Sequence, residues 1–127
     1  MTPAVPSVLS ELAQLLMRNA LPGVPDGERA NALGLSAMLL NLAAEVWDGA
    51  AHNLAIENRA LRKLLDLPGD DGDLHLSALR AENGRLRGAL IEAQIAAENA
   101  GDTARQEAIW AELLASTERR KLSVSLV

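Results

Sequence analysis

The stretch Ala30-NALGLSAMLLNLAAEVWDGAAHNLAIENRALRKL-Leu65 decides the fold. Within it Leu33, Ala37, Leu40, Ala44, Trp47, Ala51, Leu54, Asn58, Leu61 and Leu65 alternate steps of four and three, the interval that keeps side chains on one face of an α-helix. A second set, Leu35, Met38, Leu39, Leu42, Val46, Ala50 and Ile56, widens the apolar stripe beyond a coiled-coil seam and implies more than one neighbour. This predicts a central helix about 54 Å long at 1.5 Å per residue, with Gly34 and Gly49 as points where it can bend.

Working outward, Ser7 is positioned to cap a first helix reaching about Ala20, with Val8, Leu12, Leu15 and Leu16 inward. Leu21-Pro-Gly-Val-Pro-Asp-Gly27 stops it, and Asp26 is placed as the N-cap of the central helix, ahead of Glu28. Leu67-Pro-Gly-Asp-Asp-Gly-Asp73 is the strongest turn signal. A third helix is predicted over 74–100 on the seam Leu76, Leu79, Asn83, Leu86, Leu90, Ala93 and Ala97. Gly101 suits a left-handed stop, and Thr103 with Gln106 forms a capping-box pattern opening a fourth helix that ends near Arg119-Arg120-Lys121. The tail Leu122–Val127 alternates apolar and polar residues and is read as flexible or docked on a partner.

Composition supports an all-α fold: leucine (24) and alanine (23) dominate, Phe, Tyr and Cys are absent, and Trp47 and Trp110 are the aromatic residues. A chain of 127 residues is expected to be a single helical domain, and the architecture expected is an up-and-down four-helix bundle. The net charge of −5 argues against nucleic acid or anionic lipid as partner, and the absence of cysteine excludes disulfides and thiolate chemistry. Glu11 and Arg18 interrupt any signal-peptide core, and Glu45, Asp48 and His52 interrupt any membrane span over 37–56, so a cytoplasmic location is expected.

The second and third helices echo one another. Glu57-Asn58, Leu61-Arg62 and Leu65 recur as Glu82-Asn83, Leu86-Arg87 and Leu90. Folded as an antiparallel hairpin (about 30–66 with 74–100), positions whose numbers add to about 140 would face each other. Leu65 would meet Leu76, Leu61 Leu79, Asn58 Asn83, Leu54 Leu86, Ala51 Leu90, Trp47 Ala93 and Ala44 Ala97. Asn58, Asn83, Trp47, Leu54, Leu61 and Leu86 are therefore the register or interaction candidates. The rival arrangement is a parallel pair of Asn58 with Asn58 of a second chain.

Asn41, Glu45, Asp48 and His52 share one stripe, continued by Arg59. Glu45, Asp48 and His52 are the candidates for a metal or small-ligand site, against the plainer reading of a solvated helix face. The Glu-x-x-His pair of di-iron bundles is absent, His75 reads as a helix-cap residue, and there is no glycine-rich phosphate loop or nucleophile elbow. Ser116, Thr117 and Ser123 with Arg119 and Arg120 form at most a helix-end anion site. No cofactor and no catalytic activity are expected.

Four segments resemble a family of small uncharacterised bacterial helical proteins often encoded beside phosphotransferase-like kinases and acyl-CoA dehydrogenases. They are Leu21-Pro22 to Gly27-Glu28-Arg29, the alanine-rich run ending His52-Asn-Leu-Ala-Ile56, the Leu61–Leu65 segment before an acidic glycine turn, and Arg120-Lys-Leu-Ser-Val124. Ile56-Glu57-Asn58 stands where that family carries an arginine-glutamate step. The resemblance implies an accessory subunit of a neighbouring metabolic enzyme. The residues themselves point to a structural or protein-interaction module acting by helix-face burial. It is expected to be a homodimer, with Ala43, Val46, Ala50 and Ile56 available for contacts outside the hairpin.

Overall fold

The computed structural model describes residues 4–123. It is all-α, a helical bundle of four α-helices: α1 Val5–Leu15, α2 Glu28–Leu64, α3 Leu76–Ala100 and α4 Thr103–Arg119. Among the described residues no helix is long and apolar enough to cross a membrane. Two compact units are distinguished, Met1–Gly49 with Leu122–Val127, and Ala50–Lys121. Residues 124–127, most of the tail expected to be flexible or docked, lie outside the described residues.

In the first unit α1 starts two residues before Ser7. Ala4 is the N-cap without a side-chain bond and Pro6 occupies the first turn, where its missing N–H costs nothing. The helix then widens into a π-turn over Leu16–Ala20, tightens into a 3-10 turn over Leu21–Gly23, and stops at Val24, which is extended ahead of Pro25. Asp26 is not the cap of α2: Gly27, at φ +136°, occupies that place, and its carbonyl accepts the Asn31 N–H at 3.0 Å. The chain is helical at both Gly34 and Gly49. Among the described residues of this unit the fully buried ones are Ala13, Ala37 and Ala44.

The second unit holds the end of α2 with α3 and α4. Asp66 closes α2 in the left-handed conformation, φ 54°, and the Leu67 N–H bonds back to the Arg62 carbonyl at 2.9 Å. Asp73 Oδ1 accepts the His75 N–H at 2.9 Å and sets up the entry to α3. Gly101, φ 65°, ends α3 in a Schellman turn in which Asp102 N–H reaches the Ala97 carbonyl at 2.9 Å. Asp102, one residue ahead of the expected Thr103, caps α4 by accepting the Arg105 N–H at 3.0 Å.

The α2–α3 pair does not form the expected antiparallel hairpin. Gln106 Nε2 donates to the Ala97 carbonyl at 3.3 Å, so α4 begins beside the end of α3. Arg105 Nη1 also lies 3.9 Å from Asp66 Oδ2, so the same end of α3 lies beside the end of α2. Two antiparallel helices crossing at Asn58 and Asn83 would separate those ends by about 34 Å at 1.5 Å per residue, which no Arg–Asp pair spans. The end of α2 and α3 therefore run parallel, with α4 antiparallel to both.

The stagger is the 25 residues of the sequence echo. Leu61, Leu86, Leu90 and Ile109 form one buried cluster, with Leu64, Leu65, Ala93 and Leu113 packed against it. Leu61 thus lies with Leu86 and Leu65 with Leu90, in place of the expected Leu79 and Leu76, and Ala93 packs here instead of on Trp47. Parallel pairing requires the chain to return about 20 Å before restarting, and the eleven residues Leu65–His75, which reach about 36 Å when extended, do so.

The direction is testable because the chain has no cysteine of its own. Leu61→Cys with Leu86→Cys is expected to form a disulfide on mild oxidation. Leu61→Cys with Leu79→Cys, the antiparallel partners, is expected to keep both thiols titratable.

Candidate functional site

The buried polar side chains Glu57, Asn58, Arg62, Asn83 and Ser116 of the second unit are gathered into one junction. Its middle is the asparagine pair: Asn83 Nδ2 donates to Asn58 Oδ1 at 3.0 Å, and both residues are buried. Asn58 Nδ2 in turn donates to the Leu79 carbonyl at 3.2 Å and to Asp71 Oδ1 at 3.2 Å, which satisfies both amide hydrogens. Such a pair on the seam is the device that sets stagger in parallel two-stranded coiled coils, here within one chain.

Reciprocal ion pairs flank it. Arg87 Nη1 reaches Glu57 Oε1 at 2.7 Å and Arg62 Nη2 reaches Glu82 Oε1 at 2.8 Å. In each, the glutamate precedes the asparagine of one helix and the arginine follows the leucine of the other, the flanking charge pattern of a parallel coiled coil. Each pair is extended by a different element. The return loop supplies Asp71, whose Oδ1 lies 2.8 Å from Arg62 Nη2. α4 supplies the Ser116 hydroxyl, donating to Glu57 Oε2 at 2.9 Å, and its C-cap Arg120 donates from Nη2 to Oε1 at 2.8 Å and from Nε to Oε2 at 3.3 Å.

Glu57 is the hub, with its side chain 4% exposed. Burial pushes its carboxyl upward, but the hydrogen bonds from Asn83, Arg120 and Ser116 and the Arg120 charge outweigh that and hold it at about 2. A carboxylate kept ionised this firmly, with both oxygens occupied by donors, has no tendency to take up a proton near neutrality and no open face for a nucleophilic role. Hydrogen bonding by Arg85, followed by Arg62, likewise lowers Glu82 to about 2 against the opposing effect of desolvation. The Arg62 guanidinium is raised, chiefly by its bond to Asp71. Its Nη1 is buried without a partner among the described residues, as are Arg119 Nε and Gln94 Oε1. The arrangement is chemically a clamp joining three helices and a loop.

Of the residues singled out in the sequence, Asn58, Asn83, Leu61 and Leu86 are brought together in this unit, with Leu54 half-buried. Trp47 is 56% exposed in the first unit. Glu45, Asp48 and His52 are all exposed; among the described residues no group of three or more metal-binding side chains is assembled. Glu45 instead accepts the Ser123 backbone N–H at 2.8 Å and its hydroxyl at 2.5 Å. The metal reading therefore rests on helix spacing alone. Glu57, Arg62, Glu82 and Arg87 stand in the sequence echo, but their pairing follows only once the two helices run parallel. Asp71, Ser116 and Arg120 carry no sequence signal for their roles.

No family model, curated protein or solved structure matches this chain, and the junction is read from its own geometry.

Asn58→Leu and Asn83→Leu are each expected to cost about 1–3 kcal/mol in urea unfolding, because each strands a buried amide, while the double variant costs less than the sum. Acid provides a second check. The folded carboxyl of Glu57 lies below its ordinary value of 4.5, so its contribution is complete above that value and is lost as the pH falls toward about 2. Between these limits Glu57→Gln is expected to flatten the dependence of unfolding free energy on pH; an unchanged slope would contradict the assignment.

Proposed function

We propose that this protein is a structural or protein-interaction module, without catalytic activity of its own, that works by burying helix faces and does so first against a second copy of itself. What supports the reading is the first unit. Its fully buried residues among those described are three alanines, Ala13, Ala37 and Ala44, while its leucines are at most half-buried and several larger apolar side chains are exposed. On α1 Val8, Leu12 and Leu15 are 41%, 44% and 42% exposed; on α2 Leu35, Leu39 and Val46 are 52%, 54% and 44% exposed. Leu12, Leu15, Leu16, Ala20 and Leu40 line an apolar groove of about 360 Å³ within this unit.

Two helices whose leucines are at most half-buried around a few alanine methyls bury little apolar surface to set against the entropy of ordering them. Pairing with the same unit of a second chain completes four helices around the leucines, a self-complementary contact of the commonest kind in oligomers. Ala43 is exposed and Ala50 half-buried beside Val46, which leaves that side of α2 free for the same contact. The wide apolar stripe of α2 carries the proposal.

Solution mass measured over a range of concentrations is expected to give twice the chain mass, falling to the monomer for Leu12→Glu and Leu39→Glu. A concentration-independent monomer in the parent chain would sink the homodimer and direct attention to α3 and α4.

A further inference from the structure

A second apolar face lies on the α3–α4 hairpin. Ile91 and Ile95 on α3 are 61% and 48% exposed, and Trp110 and Leu114 on α4 are 61% and 63% exposed. Each pair is spaced four apart and forms a ridge along its helix. On both helices these residues sit about one residue's rotation beyond the packed seam, Ile91 beyond Leu90 on α3, and Trp110 and Leu114 beyond Ile109 and Leu113 on α4. Because the two helices are antiparallel, the same rotation from their shared seam carries both ridges to one side of the hairpin, away from α2. The contact of Gln106 with the Ala97 carbonyl fixes the level at which they meet. With that register Trp110 lies beside the Ile91–Ile95 step and Leu114 beside Ile91.

The face is bordered at the Ile95 end by Glu98 and Glu107, both exposed. Neither meets a Lys or Arg among the described residues, and the Glu98 carboxylate accepts the neutral Gln94 amide, at 2.5 Å. Two apolar ridges side by side suit a third helix laid between them, and an exposed Trp is among the residue types most enriched at interface hot spots. The acidic border selects its charge. A cationic segment complements it.

We propose that Ile91, Ile95, Trp110 and Leu114 form a docking groove for an amphipathic helix of another protein, basic along the flank that meets Glu98 and Glu107. This goes beyond the homodimer contact, uses a different unit of the chain and does not depend on it.

The probe is an 18-residue leucine–lysine peptide with leucines at helical i, i+3, i+4, i+7 spacing, compared with its leucine–glutamate counterpart. In a Trp47→Phe background, which leaves Trp110 as the reporter, the lysine peptide is expected to shift the emission to the blue and to saturate. The glutamate peptide should bind at least tenfold more weakly. Ile95→Ser and Leu114→Ser, both at exposed positions, are expected to weaken the lysine peptide at least tenfold with unchanged helix content and thermal midpoint. Equal binding of the two peptides, or binding unaffected by both serine variants, overturns the proposal. So does self-association that the serine variants abolish, since it would place a second copy on this face. Solution mass reports the contact of the first unit separately, so the two ideas fail independently.

Discussion

Two asparagine amides facing each other inside a leucine seam constrain the whole of the Ala50–Lys121 unit. A slip of α3 along α2 by one heptad would set Asn58 against an apolar side chain and strand both amides, at about 1–3 kcal/mol for each. The 25-residue stagger satisfies them, and the rest follows from it. The chain must travel back between α2 and α3, so the segment Leu65–His75 is laid along them and Asp71 comes within reach of both Asn58 and Arg62. With the two helix ends side by side, α4 has one course open to it, back along both.

Around the pair, burial of charge is offset by multiplicity. Glu57 receives three kinds of donor from two helices, and Arg62 is shared between carboxylates of α3 and the loop. Ion pairs of this kind return little net stability once desolvation is counted, but removing one member leaves the others exposed to that cost. Their contribution is discrimination: the correct direction and stagger satisfy every carboxylate, and alternative packings do not. The half-exposed Arg87 and Arg120 let the network end in water instead of deeper in the core.

Helix content and helix positions were legible because the 3.6 period, the proline–glycine segments and the Schellman glycine at Gly101 act locally. The Asn58–Asn83 contact was legible too, since both residues sit on apolar seams. Direction was not, because one contact near the middle of two helices fits either orientation. The short turn signal Leu67–Asp73 suggests a reversal, although the full connection is long enough to return. The charged residues held the missing information: a glutamate before each asparagine and an arginine after each leucine match only when the helices run the same way. Caps moved by one residue at α2 and α4, where Asp102 serves in place of Thr103, and by three at α1, where Ala4 stands in place of Ser7. Ser116 and Arg120 meet Glu57 across about sixty residues, a distance over which no pattern in the chain speaks.

The return loop also sets the order in which the chain can assemble. Contacts between α3 and α4 join residues close in sequence across a two-residue turn, whereas those of α2 with α3 close loops of about 25 residues and those of α2 with α4 loops of about 60. Loop-closure entropy makes the nearer contacts cheaper to form, so the α3–α4 hairpin is the natural nucleus, and α2 docks onto it last, guided by Asn83 and Arg87 already in place. During synthesis the apolar face of the last turns of α2 therefore leaves the ribosome before α3 and α4, its partners in the same chain, exist. Over that interval its long leucine-and-alanine surface is the segment of the nascent protein with most need of a chaperone.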